Sequence, residues 1–153
     1  MEAITALLED LDLEKLIPEM DSLLGTVEKA VRIAILIGPI LMLVLGLIYL
    51  LIPPKEANHH FGFRTFWGMG SVEAWRFTQM VAGISWSVIG LVLSIVMYVI
   101  SKSLPGKEPM DMVILGTTCL VWQVIIAFSC CVIIGIVAFI FFDRKGIPRR
   151  SKR

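Results

Sequence analysis

The chain has 153 residues, 57% of them hydrophobic and only 18% charged, with a mean hydropathy of +0.83. A soluble domain would carry about a quarter charged residues, so composition excludes an ordinary soluble globule and points to a membrane protein. The net charge of +1 conceals a polarity: eight of the 13 acidic residues fall in the first 28 positions, and six of the 14 basic ones in the last ten. That polarity bears on membrane orientation. No basic stripe with interleaved aromatics marks a nucleic-acid surface, so no nucleic-acid partner is expected.

Residues 1–29 differ in kind from the rest of the chain. Ile4, Leu7, Leu8 and Leu11 recur at helical spacing, and Leu16, Ile17, Met20, Leu23, Leu24 and Val27 continue the pattern. Between them stand Glu2, Glu9, Asp10, Asp12, Glu14, Glu19, Asp21 and Glu28. This predicts an acidic amphipathic helical segment, broken near Pro18. Its acidity argues against docking on an anionic leaflet. It would lie on the protein's own membrane domain or hold a partner. With an acidic start and no long apolar run before Arg32, no cleavable signal peptide is expected.

Three uncharged runs occupy a membrane domain over 30–153: Ile33–Ile52, Phe77–Ser101 and Met112–Phe142. About 20 apolar residues span a bilayer core of roughly 30 Å, so each run crosses once, as a helix. Pro53-Pro54, Leu104-Pro105-Gly106 and Asp143-Arg144-Lys145-Gly146 end the spans, and Gly38-Pro39 predicts a kink within the first. The third run, at about 1.5 Å per residue, reaches about 46 Å. It must tilt, extend past the bilayer or begin irregularly near Gly116-Thr117-Thr118. The expected fold is therefore all-α: a polytopic membrane protein with three transmembrane helices behind an acidic N-terminal helical segment.

Small residues suggest how the spans pack. Gly83, Ser87, Gly90 and Ser94 line one stripe of the second span, and Ala127, Cys131 and Gly135 one stripe of the third. Such stripes let helix backbones approach closely, and these two are expected to pair with each other, within one chain or in a homo-oligomer. Gln79 and Gln123 are read as interhelical hydrogen bonds. Cys119, Cys130 and Cys131 all lie inside the third apolar run and are read as packing residues, not disulfides or metal ligands. No Asp, Glu, Lys, Arg or His lies within a span, which weighs against proton coupling or voltage sensing.

Basic residues set the orientation. The 53–76 loop (Lys55, Arg64, Arg76) and the tail (Arg144, Lys145, Arg149, Arg150, Lys152, Arg153) hold nine; Lys15, Lys29, Arg32, Lys102 and Lys107 make five on the other side. The loop and the C-terminus are therefore expected in the cytoplasm.

The loop 58–75, NHHFGFRTFWGMGSVEAW, carries the densest chemistry. His59 and His60 are adjacent and face different ways on regular structure, whereas helical metal pairs sit three or four apart. They are read as interfacial polar residues rather than zinc ligands, with a pH-responsive role left open. No nucleophile with an evident base, no GxSxG and no Walker loop occurs, so neither catalysis nor a cofactor is expected. Trp67 and Trp75 read as interface aromatics. Ser71 can cap a helix beginning near Val72, with Glu73 in its first turn, and Arg64 could pair with Glu73 across Gly68-Met69-Gly70.

Asn58, Phe61-Gly62-Phe63-Arg64-Thr65, Ser71, Glu73, Trp75 and Gly83 together resemble the SdpI family signature. The likeness covers roughly residues 33 to 100, with the third span similar by hydropathy. One departure is Gln79, where the family usually has Asn. The resemblance implies a multi-pass protein of the bacterial plasma membrane, related to immunity proteins that protect a producer cell from its own antimicrobial peptide and sequester a transcriptional regulator. The expected function is such immunity or tolerance. Asn58, Gly62, Arg64, Thr65, Ser71, Glu73, Trp75 and Gln79 would form the recognition loop, and a peptide toxin, a cytoplasmic regulator and the bilayer would be partners. A small oligomeric transporter or channel subunit, or an adaptor working through its N-terminal helix, is the alternative.

Overall fold

The structure is a computed structural model that describes residues 13–52 and 62–149. Three helices succeed one another: α1 (Leu13–Leu51), α2 (Val72–Ser101) and α3 (Pro109–Phe141). Each is long and apolar enough to cross a membrane, and no strand occurs among the described residues. The expected all-α architecture with three candidate spans is thus present. Large apolar side chains such as Ile37, Leu41, Val92, Ile95, Val124 and Phe128 stand exposed on the outside of the bundle. A surface of this kind suits hydrocarbon rather than water.

The helix boundaries correct two expectations. The break expected near Pro18 does not occur, because α1 continues through Pro18 and across positions 29 and 30. A proline removes one amide donor, and the neighbouring turns carry the helix past that single loss. The stretch before Leu13 lies outside the described residues. The second helix begins at Val72 behind its Ser71 cap, as expected, five residues before the uncharged run at Phe77. The third helix is regular from Pro109 through Gly116-Thr117-Thr118. At about 1.5 Å per residue its 33 residues reach about 50 Å, so it must tilt or project beyond a core of about 30 Å.

The packing corrects a third. The α2 stripe does not meet the α3 stripe; it faces α1. A Cβ built on Gly90 would stand 2.5 Å from the Leu43 backbone nitrogen, and one on Gly83 would stand 2.8 Å from Leu50 Cγ. Gly46 of α1 lies against Ser87 just as tightly. Ser94 turns inward on its own helix, donating from Oγ to the Gly90 carbonyl at 2.7 Å. On α3, Ala127, Cys131 and Gly135 are only half-buried, and a Cβ at Gly135 would meet open space. The close α1–α2 seam makes this the most extensive helix pair, with α3 packed less against either.

Gln123 ties α3 to α1. Pro39 has no amide hydrogen, so the carbonyl of Ile35, four residues earlier, loses its helical donor. Gln123 Nε2 donates to that carbonyl at 2.8 Å. Gly38 makes the room, since a Cβ there would lie 2.7 Å from Gln123 Oε1. The interhelical bond expected of Gln123 therefore repairs the proline break in its neighbour.

Two apolar clusters fill the bundle. Ile35, Leu93, Met97, Leu104, Met112 and Cys119 form one at the 102–108 end. Met42, Tyr49, Ala82, Cys130 and Ile134 form the other, toward the opposite end. The thiols of Cys119, Cys130 and Cys131 are free.

Candidate functional site

Three spans place the loop before α2 and the chain after α3 at the same end of the bundle. The sequence around Ser71 shows why the loop stops there. Ser71 has extended dihedrals (φ −153°, ψ 164°), and its Oγ accepts from the Ala74 amide at 3.1 Å. This is the N-cap geometry that satisfies one of a helix's orphan amides. Glu73 stands exposed in the first turn, where the helix dipole favours negative charge.

Ahead of that cap the loop backbone is pinned. Gln79 is fully buried, and its carboxamide clamps Phe63 from both sides. Oε1 accepts from the Phe63 amide and Nε2 donates to the Phe63 carbonyl, each at 2.8 Å. The Gln79 bond expected between helices thus goes to the loop backbone, sixteen residues back.

Gly62 takes a positive φ of 122°, which an L side chain rarely adopts. A Cβ there would stand 2.5 Å from Trp75 Cζ2, so the glycine backbone lies directly on the indole. Trp75 is fully buried beneath it. This corrects the reading of Trp75 as an interface aromatic: it is the floor of the loop. Trp67 is half-buried and packs edge-on against Phe139, with centroids 5.0 Å apart.

Thr65 closes the next turn. Its Oγ1 accepts from the Gly68 amide at 2.9 Å, and its carbonyl accepts from the Met69 amide at 3.1 Å. Gly68 sits tightly between Thr65 and Thr78. Phe63 lies edge-on to Trp86 at 5.8 Å. Between these pinned neighbours Arg64 projects to the surface, as does Phe66, 68% exposed. Among the described residues no Arg64–Glu73 ion pair forms; Glu28 and Arg32 on α1 make an ion pair, within one helix and away from the loop.

A second segment completes the site. After α3, the Asp143 carboxylate accepts from the amides of Lys145 and Ile147, each at 2.9 Å. Gly146 adopts φ 71°, and the chain turns back so that Phe142 bridges Pro148. This turn docks on the loop, where Ser71 Oγ donates to the Gly146 carbonyl at 2.7 Å. Gly70 and Gly146 touch backbone to backbone, leaving no room for a side chain on either.

Of the residues singled out in the sequence, the structure brings Gly62, Thr65, Ser71, Trp75 and Gln79 into one bracing network, with Arg64 and Glu73 on its surface. Asn58, His59 and His60 lie outside the described residues. Among the described residues, no group of three or more His, Cys, Asp or Glu could hold a metal ion.

The SdpI/YfhL protein family model matches residues 55–142, which is the loop, α2 and α3 together. The chain belongs to the SdpI/YfhL protein family. The match reaches through the third span, beyond the roughly 33–100 over which the signature itself was legible, and begins after the first. No curated protein and no solved structure matches the chain.

Sequence reasoning missed Thr78, Asp143 and Gly146 as parts of the site of this SdpI/YfhL family member. Thr78 is fully buried and donates to the Ala74 carbonyl at 2.8 Å, which leaves no periodic trace. Asp143 and Gly146 read only as a helix stop, although an Asp three residues before a Gly is a turn signal in its own right.

Proposed function

We propose that this protein is an immunity or tolerance factor of the bacterial plasma membrane, which neutralises or senses a membrane-active peptide toxin. Family membership over residues 55–142 supports the reading. The observation that carries it is the braced loop, whose buried face is fully committed to structure while Arg64 and Phe66 face outward beside the membrane end of α2. An arginine beside an exposed aromatic suits a peptide that is amphipathic and carries acidic groups or a free carboxylate. The function is binding rather than catalysis. On the basic-residue count, this face lies in the cytoplasm, where the loop could also hold a regulator.

Expression in a sensitive strain should raise survival against a membrane-active peptide. Arg64→Ala should abolish that protection while the protein remains at wild-type abundance in the membrane. Equal protection by Arg64→Ala would remove the loop as the working surface.

A further inference from the structure

Next to the braced loop lies a separate pocket of about 390 Å³ between the start of α2 and the end of α3, lined by Glu73, Phe77, Ile140, Phe141, Phe142, Pro148 and Arg149. Its floor is aromatic: Phe77 packs against Phe141 and Phe142 with centroids 5.1 and 5.3 Å apart. Its rim carries two exposed charges of opposite sign, Glu73 and Arg149. No Glu73–Arg149 ion pair closes it among the described residues. Arg149 is held in place from below, since its Nε donates to the Phe142 carbonyl at 3.1 Å and its guanidinium lies 4.7 Å over the Phe139 ring. Its terminal nitrogens have no other hydrogen-bond partner among the described residues.

We propose that this pocket binds the headgroup of an aminophospholipid from the surrounding bilayer, with the phosphate on Arg149 and the primary ammonium on Glu73. A ligand carrying only negative charge would meet the Glu73 carboxylate, and one carrying only positive charge would meet Arg149. A headgroup that carries both charges satisfies both rims. The occupant is a lipid because the floor continues into Ile140 and Phe141, 58% and 53% exposed on the apolar outside of α3, so that acyl chains can follow the helix down. The ammonium is primary because Glu73 needs N–H donors, which a quaternary choline lacks. A guanidinium is the side chain best shaped for phosphate oxygens.

The test is native mass spectrometry of the full-length protein in mild detergent, with equimolar phosphatidylethanolamine, phosphatidylcholine and phosphatidylglycerol of identical chains. Phosphatidylethanolamine should bind best, by about tenfold over phosphatidylcholine, the worth of one charge-assisted hydrogen bond, with phosphatidylglycerol weakest. Glu73→Gln should erase the preference for phosphatidylethanolamine over phosphatidylcholine. Arg149→Gln should weaken both, whereas Arg76→Gln, one turn along α2 but outside the pocket lining, should leave the ranking as it was. Phosphatidylglycerol binding as well as phosphatidylethanolamine in the unmodified protein would overturn the proposal without recourse to any variant. So would an unchanged ranking in Glu73→Gln, or an Arg76→Gln loss equal to that of Arg149→Gln, which would mean a diffuse basic surface.

Discussion

The Gln123–Ile35 bond makes a prediction in which two residues on different helices should depend on each other. Replacing Gln123 with Leu keeps the volume roughly constant but removes the donor at 2.8 Å from the Ile35 carbonyl. Pro39 offers that carbonyl no alternative, so a buried acceptor is left without a partner, at a cost of about 1–3 kcal/mol. In a bilayer mimic the lower end applies, because interhelical hydrogen bonds there are worth about 0.6 kcal/mol on average and about 1.7 at most. With Pro39→Ala in place, the residue-39 amide can take the Ile35 carbonyl within α1, and Gln123→Leu should then cost little. The double-mutant cycle, read from reversible unfolding in mixed micelles, should give a coupling of about 1 kcal/mol, with each single change affecting the other's cost. Additivity within about 0.3–0.5 kcal/mol is the mark of independent sites. An additive result would refute the claim that Gln123 repairs the proline break.

Gln79→Leu should strip both partners from the Phe63 backbone, so amide exchange at Phe63 should rise by about tenfold or more while the helices keep their protection; unchanged exchange would refute the clamp. Gly146→Ala places a side chain at φ 71° against Ser71 and Gly70, a combined conformational and steric load of at least about 1–2 kcal/mol. The turn should undock, and trypsin should cut after Arg144 or Lys145 faster than in the parent protein; an unchanged rate would mean that Ser71 does not hold the turn. At the α1–α2 seam, Gly46→Ala should destabilise by about 1–3 kcal/mol through overpacking. Ser87→Ala should be neutral or stabilising, because Ser87 Oγ is buried without a partner among the described residues. A costly Ser87→Ala in the same micelle titration would show that this hydroxyl has a bond after all.

The spans were legible because hydropathy reports directly on what a bilayer selects, and the start of α2 was legible because Ser71 and Glu73 form a local cap. The partner of the α2 stripe was not. Gly83, Ser87 and Gly90 declare a face but not what covers it, and α1 answers with the lone Gly46, flanked four residues away by Met42 and Leu50. A single glycine makes no stripe, whereas Ala127, Cys131 and Gly135 on α3 make one that this fold leaves half-buried. The signature residues of the loop could be picked out, but not their tasks. Gln79 could equally have faced a helix, and its true partner is a backbone unit in an irregular segment. The docking of Gly146 on Ser71 joins positions 75 residues apart, beyond any local pattern.

The bracing network changes the thermodynamics of anything that meets the loop. Fixing a mobile backbone costs about 1–2 kcal/mol per residue, so a ligand that had to order several loop residues would lose most of an ordinary affinity. Here that cost is met on folding. Phe63 is held through both its amide and its carbonyl, and Thr65 through its hydroxyl and its carbonyl. Arg64 sits between two fixed neighbours, so the backbone that carries it is already ordered before a partner arrives. A partner that engages Arg64 therefore meets a preorganised surface, and its affinity rests on the contacts themselves. The same reasoning gives the buried residues of the loop their role. Gln79, Trp75, Thr65 and Gly62 need not touch a peptide to decide how tightly one is held, because they set the entropy that binding must overcome.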